Sequence, residues 1–248
     1  MEKRFYVDFD ISSVSHFVLS GDEFLHMTKV MRLRVGDTVE CFFDGSDVYE
    51  CKIADIKKQE ATLTVLSKKE CHANPNVYLT LFQALPKLDK LEYATQKLCE
   101  IGATRIVPFL SKFCVAKANE NKIERLKKIV ISACKQSKRT KLLEVDDTKS
   151  FDKMIDMLSG FDLVVFANEK ESPERTDVLR QKISKLSNMT DKKVACIVGS
   201  EGGFDDSEID VISRQKNVIS ISLGRRILRA ETASVVVPTI VLYELNEI

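Results

Sequence analysis

Hydrophobic and polar positions alternate in short runs between residues 36 and 66: TVECFF, VYECKIADI and ATLTVL, separated by DGSD and KKQE. A period of two with polar turns between the runs predicts antiparallel strands closing into a small barrel or sheet. Little room is left there for helix beyond a turn around Phe24 to Val30. The alternation stops at CHANPNV, Cys71 to Val77, a run of turn formers without any period. A domain boundary is therefore expected there, with a β domain over residues 1–72 and a second domain over residues 73–248.

Past that boundary the rhythm changes. NVYLTLFQAL, TRIVPFL, FDLVVFAN, KKVACIVG and NVISISLG are nearly continuous apolar runs, as strands buried on both faces require. Helical segments separate them. In LDKLEYATQKLCEIG, Leu88, Leu91, Ala94, Leu98 and Ile101 share one face and Gly102 provides the stop. A basic helix follows the second strand, a polar one is expected from about Pro173 to Leu186, another opens near Asp206, and an apolar one begins near Ala230. Strands alternating with helices imply an α/β domain around a mostly parallel sheet.

Composition adds constraints. With 44% hydrophobic residues, 248 positions suffice for one large core or two smaller ones. Charge interrupts every apolar run before the roughly 18 residues a membrane span needs. MEKRFYVDFD has no apolar signal region, so a cytoplasmic protein is expected. The seven cysteines include no C-x-x-C pair, and the three histidines stand at 16, 26 and 72. Reduced core thiols are expected, and no metal site.

The net charge of +1 conceals an asymmetry. Residues 1–72 carry 10 Lys/Arg against 13 Asp/Glu, whereas residues 73–248 carry 28 against 24. Much of that excess lies in Lys122, Arg125, Lys127, Lys128, Lys135, Lys138, Arg139 and Lys141, where Glu124 is the one intervening acid. On a helical wheel Arg125, Lys128, Lys135 and Arg139 fall to one side, with Ile123, Leu126, Val130 and Ala133 on another. A basic stripe of this kind suits phosphate contacts, although a solvated face is its usual meaning. Arg4, Arg32 and Arg34 form a second basic patch.

Ligands of open α/β sheets bind beyond the carboxyl ends of the strands. Three loops at such ends are unusual: QALPK (Gln83 to Lys87), GSEGGF (Gly199 to Phe204) and LGRRILRAET (Leu223 to Thr232). Neither G-x-G-x-x-G nor G-x-x-x-x-G-K-[ST] occurs, which removes the best-known support for NAD or ATP. G-x-S-x-G is absent too, and all the histidines precede the second domain, which disfavours a Ser-His-Asp hydrolase.

GSEGGFDDSEI and LGRRILRAETA, with KLCEIGATRIVPF, ACKQSKR and the N-terminal HMTKVMRLRVGD, together resemble the RsmE-type RNA methyltransferases of the SPOUT class. The resemblance spans nearly the whole chain. It implies a small PUA-like RNA-binding β-barrel domain followed by a SPOUT α/β domain with a C-terminal trefoil knot. It also implies methylation of N3 of a uridine in 16S ribosomal RNA of the small ribosomal subunit, from S-adenosylmethionine, by a homodimer. The family's usual G-P-E-G-G-F stands here with Ser200 in place of the proline, which frees φ at that position.

Carried onto this chain, the resemblance places the cofactor against Leu85, Ile197, Gly199, Glu201, Gly202, Gly203, Leu223, Gly224, Leu228 and Ala233. Glu201 either hydrogen-bonds the ligand or caps the following helix. Arg229 is the choice for holding the uracil, and Glu231 is the nearest base, unless it only complements the helix dipole. RNA contacts are assigned to Arg4, Arg32, Arg34, Arg125, Lys128, Lys135, Arg139, Arg225 and Arg226. Val235, Val236, Val237, Ile240, Val241 and Leu242 fit burial against the sheet and a second subunit, or wholly inside one chain. Two alternatives stand beside this reading: an inactive RNA-binding or ribosome-assembly protein, and a SPOUT enzyme with another RNA target.

Overall fold

The computed structural model describes residues 3–115, 121–171, 176–186 and 191–248, without the side chains of Leu88, Asn121, Lys122, Thr176, Asp177 and Val178. The expected helix start near Pro173 and the side chain of Lys122 thus lie outside the described residues. Two compact units are formed, one from Met1–Asn74 with Cys134–Leu142, the other from Pro75–Ala133 with Leu143–Ile248.

In the first unit β1 (Arg4–Tyr6), β2 (His16–Ser20), β3 (Thr38–Phe42), β4 (Asp47–Ile56) and β5 (Glu60–Glu70) make one sheet in the order β1-β3-β4-β5-β2. The β1–β3 pair is parallel and the others are antiparallel. The period of two sends Val39 and Cys41, then Tyr49, Cys51 and Ile53, then Ala61 and Leu63 into a common core while Glu40, Glu50 and Lys52 face solvent. α1 (Gly21–Leu25) and the π-helical turn His26–Val30 occupy the stretch where a helical turn was expected, burying Phe24 and Met27. β1 and β2 were not anticipated. Three and five residues give too few alternations to stand out, and β1 is recruited by its partner strand rather than by its own pattern.

Residues 134–142, which the sequence pattern leaves with the second half, pack with the first. Polar contacts explain the placement. Thr140 donates its hydroxyl to the Gly45 carbonyl at 2.7 Å, the Thr140 and Lys141 amides donate to Asn74 Oδ1 at 3.1 and 2.9 Å, and the Leu142 amide donates to Asp44 Oδ1 at 2.9 Å. Lys135 meets Glu23 at 2.7 Å. Arg4 lies with its guanidinium 4.9 Å from the centre of the Phe42 ring and donates to the Arg139 carbonyl at 3.3 Å. Arg4 and Arg139 are only 4% and 1% exposed, so the expectation that they contact RNA is corrected: both guanidinium groups belong to the interior of this unit.

In the second unit β6 (Tyr78–Ala84), β7 (Arg105–Leu110), the two-residue β8 (Glu144–Val145) and β9 (Lys149–Ser150), β10 (Leu163–Ala167), β11 (Lys193–Val198) and β12 (Val218–Ile221) form a sheet whose pairs are all parallel. Its order is β12-β10-β11-β6-β7-β8, with β9 also on β7. The helices are α2 (Leu88–Ile101), α3 (Asn121–Ser137, whose residues from Cys134 on belong to the first unit), α4 (Phe151–Met157), α5 (Thr176–Leu186), α6 (Asp206–Ser213) and α7 (Ala230–Glu244). α2 follows its predicted face: Leu91, Ala94 and Leu98 are buried and Gly102 closes the helix at φ 103°. α3 ends at Ser137, with Lys138 at φ 65°, so Arg139 stands beyond the helix and outside the stripe drawn for it.

Alternate strand residues cover both faces of the sheet. Phe82, Val107, Phe109, Val164, Phe166 and Ile197 join Met154 of α4 and Ile212 of α6 in one cluster. On the other face Gln83 reaches Ser234 of α7. From β6 the chain runs outward through β7 and β8, then returns to build β10, β11 and β12 on the other side of β6. The direction of strand addition therefore reverses between β6 and β11, the place where an open α/β sheet leaves a crevice at its carboxyl ends.

Candidate functional site

A cleft of about 550 Å³ opens at those carboxyl ends, within the usual range of roughly 300–1,000 Å³ for small-molecule sites. Its walls come from the end of β10 and the residues after it (Ala167 to Glu169), the loop after β11 (Gly199 to Glu201, Gly203 and Phe204) and the loop after β12 (Ser222 to Arg229), with Lys90 of α2 and Ala233 of α7. Val198, Phe204, Ile209, Leu223, Leu228 and Ala233 supply apolar surface beside the backbone of the two glycine loops.

The loop after β11 is built to be rigid. Gln83 at the end of β6 donates its side-chain amide to the Gly199 carbonyl at 3.0 Å and to the Ala84 carbonyl at 2.9 Å. The Ser234 hydroxyl lies 2.5 Å from Gln83 Oε1 and 2.6 Å from the Ala230 carbonyl, so one buried amide links β6, the loop and α7. Ser200 and Gly203 form an isolated bridge, with the Gly203 amide donating to the Ser200 carbonyl at 3.0 Å. That turn forms with serine at the position where the resembled family carries proline. Phe204 stacks on Phe109 at 6.2 Å and meets Phe166 edge-on at 5.3 Å. A Cβ at Gly199 would lie 3.0 Å from the Phe204 ring and 3.2 Å from Gly203 Cα, so a side chain there fits only if the ring or the loop gives by a few tenths of an ångström.

Glu201 does not cap the following helix. The following helix, α6, is capped by Asp205, whose carboxylate accepts from the Ser207 amide at 3.1 Å while Glu208 accepts from the Asp205 amide at 3.1 Å. Glu201 turns instead to the start of α2, accepting from the Lys87 amide at 3.3 Å and pairing with Lys90 at 3.0 Å. Burial pushes its carboxyl up, but its own backbone amide, Lys90 and the Lys87 amide together hold it below the ordinary range. Lys90 is raised above the ordinary range, chiefly by Glu201.

Arg229 and Glu231 stand where the loop after β12 enters α7. Arg229 is the N-cap residue, its side chain 82% exposed, with its guanidinium 4.0 Å from Glu231 Oε1. Glu231 lies in the first turn, as a dipole-complementing carboxylate would. Its Oε2 is shielded from solvent and makes no hydrogen bond among the described residues, the 3.4 Å approach of Lys90 being an ion pair without hydrogen-bond direction.

Of the positions assigned to the cofactor, Gly199, Glu201, Gly203, Leu223, Gly224, Leu228 and Ala233 line the cleft. Leu85 and Ile197 are buried in the strand layer, Ile197 in the cluster on the α4 face, and Gly202 sits against Phe113; none of the three is among the lining residues. Arg225 and Arg226 line the cleft and are exposed. Arg32, Arg34 and Lys128 are also exposed, whereas Arg125 pairs with Glu92 at 2.8 Å. Lys90, Gln83 and Glu169 were not singled out. Lys90 and Gln83 act through partners more than one hundred positions away, which no local pattern reveals.

The RNA methyltransferase domain family matches residues 73–242, and the RNA methyltransferase PUA domain family matches residues 19–66. The chain is 32% identical to the ribosomal RNA small subunit methyltransferase E of Rickettsia conorii, over 94% of this chain and 91% of that protein. It is 28% identical to the protein of the same name from Bacillus subtilis, over 98% of this chain and 96% of that one. The crystal structure of a ribosomal RNA small subunit methyltransferase E from Neisseria gonorrhoeae, bound to S-adenosyl methionine, shares the fold with a TM-score of 0.84, covering 98% of each chain at 23% identity. The PUA-type β domain followed by a parallel-sheet α/β RNA methyltransferase domain, expected from the motifs, is thus the fold observed. The chain belongs to the ribosomal RNA small subunit methyltransferase E family and is an RNA methyltransferase.

Proposed function

We propose that this protein methylates N3 of one specific uridine in 16S ribosomal RNA, taking the methyl group from S-adenosylmethionine, and that it does so as a cytoplasmic homodimer. The observation that carries this reading is the cleft at the switch point, where two glycine loops meet a guanidinium and a carboxylate at the start of α7.

The residues suit the donor. Adenine requires apolar faces and backbone hydrogen-bonding groups, and Val198, Leu223, Leu228 and Ala233 flank exposed loop backbone. At Gly199 a side chain would crowd the Phe204 ring and the Gly203 backbone. Bound there, S-adenosylmethionine supplies a methyl group on a positively charged sulfur.

The target nitrogen is an imide, so its N–H proton must leave as the nitrogen lone pair takes the methyl carbon. Glu231 accepts that proton on Oε1, the oxygen that faces Arg229 rather than Lys90. Arg229, beside it and largely exposed, holds the uracil carbonyl oxygens where negative charge develops. Arg225 and Arg226 meet the phosphates next to the target, and Arg32, Arg34 and Lys128 add exposed positive charge for the RNA.

The test is transfer of labelled methyl to small ribosomal subunits from cells lacking the protein, followed by digestion of the RNA to nucleosides. Label in 3-methyluridine is expected. Label in another nucleoside would overturn the target, and no label in subunits, naked ribosomal RNA or transfer RNA would overturn the activity.

A further inference from the structure

Lys90 projects from the first turn of α2, yet both of its carboxylate partners lie on other elements. Its ammonium is 3.0 Å from Glu201, in the loop after β11, and 3.4 Å from Glu231, in the first turn of α7. All three side chains are partly exposed, at 22%, 34% and 19%. Without a cation between them the two carboxylates would repel across the cleft mouth.

The competing cations are differently placed. Arg229 approaches Glu231 only at 4.0 Å and is 82% exposed. Lys87 reaches Glu201 through its backbone amide. Arg225 and Arg226 are exposed, and the further acids on the cleft wall are Glu169 and Glu171. Lys90 therefore occupies a place that no other described charge fills.

We propose that Lys90 is a positioning residue: it pins the loop after β11 to the start of α7 and so sets the width of the donor cleft and the position of the Glu231 carboxylate. The inference deepens the proposed donor site and rests on it for what the cleft holds. The pin itself is a property of the ligand-free chain. Binding energy for the donor then depends on contacts prearranged by Lys90 rather than made by it. One cation serves two carboxylates, so removing either Lys90 or Glu201 breaks the same connection, and removing both does little more.

The test uses the full chain with Lys90→Met, Lys90→Arg, Glu201→Gln and the Lys90→Met/Glu201→Gln pair. Hydrogen exchange without ligand is the first readout. Amides of residues 200–204 and 230–234 should exchange at least about threefold faster in Lys90→Met and recover in Lys90→Arg. Equilibrium dialysis with labelled S-adenosylmethionine is the second. Dissociation constants should rise about three- to tenfold in each single variant, no further in the pair, and return to within about twofold in Lys90→Arg. In steady-state transfer, KM for the donor should rise by the same factor while KM for the RNA stays put.

Unchanged exchange in Lys90→Met, or additive losses in the pair, would overturn the pin. Should Lys90→Met fail to fold, Glu201→Gln and Lys90→Arg still decide it, through the loss expected in one and the retention expected in the other. A wild-type chain that binds no S-adenosylmethionine would sink the proposed donor site but not the pin, which the exchange arm judges separately.

Discussion

The two loops that line the cleft are built on opposite principles. The one after β11 is held from every side: Gln83 takes the Gly199 carbonyl, Ser200 and Gly203 close a bridge, Lys87 and Lys90 take Glu201, and Phe204 is locked between Phe109 and Phe166. The one after β12 turns at Gly224 with φ 99°, its Ser222 hydroxyl 3.4 Å from the Gly224 carbonyl, and presents Ile227 and Arg229 at 84% and 82% exposure. The difference teaches a division of labour. A preformed wall lowers the ordering cost of binding a small donor, while the exposed wall keeps its cations available for a large polyanion.

The largest effect that would sharpen this comparison comes from the exposed loop. Arg229→Ala should lower kcat by about 100-fold or more, the usual scale for a lost charge-stabilising donor. Its melting temperature should stay close to wild type, because the side chain is 82% exposed. Steady-state kinetics beside a thermal melt measures both, and a loss of folding instead would contradict the assignment.

Glycine substitutions separate the walls next. Gly199→Ala puts a methyl group 3.0 Å from the Phe204 ring, which is packed against Phe109 and Phe166, and the donor's dissociation constant should rise about tenfold by dialysis. Gly224→Ala meets nothing within 4 Å, so its penalty is conformational, roughly 1–2 kcal/mol for the left-handed backbone. A smaller rise in the dissociation constant is expected there, since the loop can absorb part of that strain.

Gln83→Leu would test the rigid wall from behind. The substitution takes the side-chain amide away from the Gly199 and Ala84 carbonyls, which should cost about 1–3 kcal/mol in urea unfolding. Donor binding should weaken with it.

The smallest effect concerns Asp205. Hydrogen bonds from the Ser207 hydroxyl, Lys112 and the Ser207 amide hold its carboxyl down at about 2 in the folded chain. An unfolded aspartate titrates near 3.9. The lowered folded value means its stabilisation is fully present above about pH 4 and is lost as pH falls toward about 2. Asp205→Asn should give a shallower fall in stability over that interval, read from unfolding curves at several pH values.

How far the sequence reaches differs between these features for physical reasons. The parallel sheet was legible because strands buried on both faces are continuously apolar, and α2 because its apolar face and Gly102 agree. The two glycine loops were legible as loops at carboxyl ends, and seven of the ten positions assigned to the cofactor line one cleft. Arg4 and Arg139 misled because formal charge says nothing of burial: both are buried, Arg4 against the Phe42 ring and the Arg139 carbonyl. The placement of residues 134–142 with the N-terminal unit was equally hidden, since it depends on Asn74, Asp44 and Gly45 meeting a segment nearly seventy positions or more away. Lys90 belongs with these. Its neighbours in the chain make it an ordinary helix-surface lysine, and only the fold brings Glu201 and Glu231 to it.

The most direct measurement is a crystal structure of the full chain with S-adenosylhomocysteine, the product left when the donor has lost its methyl group. The account predicts the nucleoside lodged in the cleft against the backbone of both glycine loops, with its sulfur facing Arg229 and Glu231. Density for the ligand elsewhere, or in the cleft but turned so that its sulfur points away from those two side chains, would contradict it.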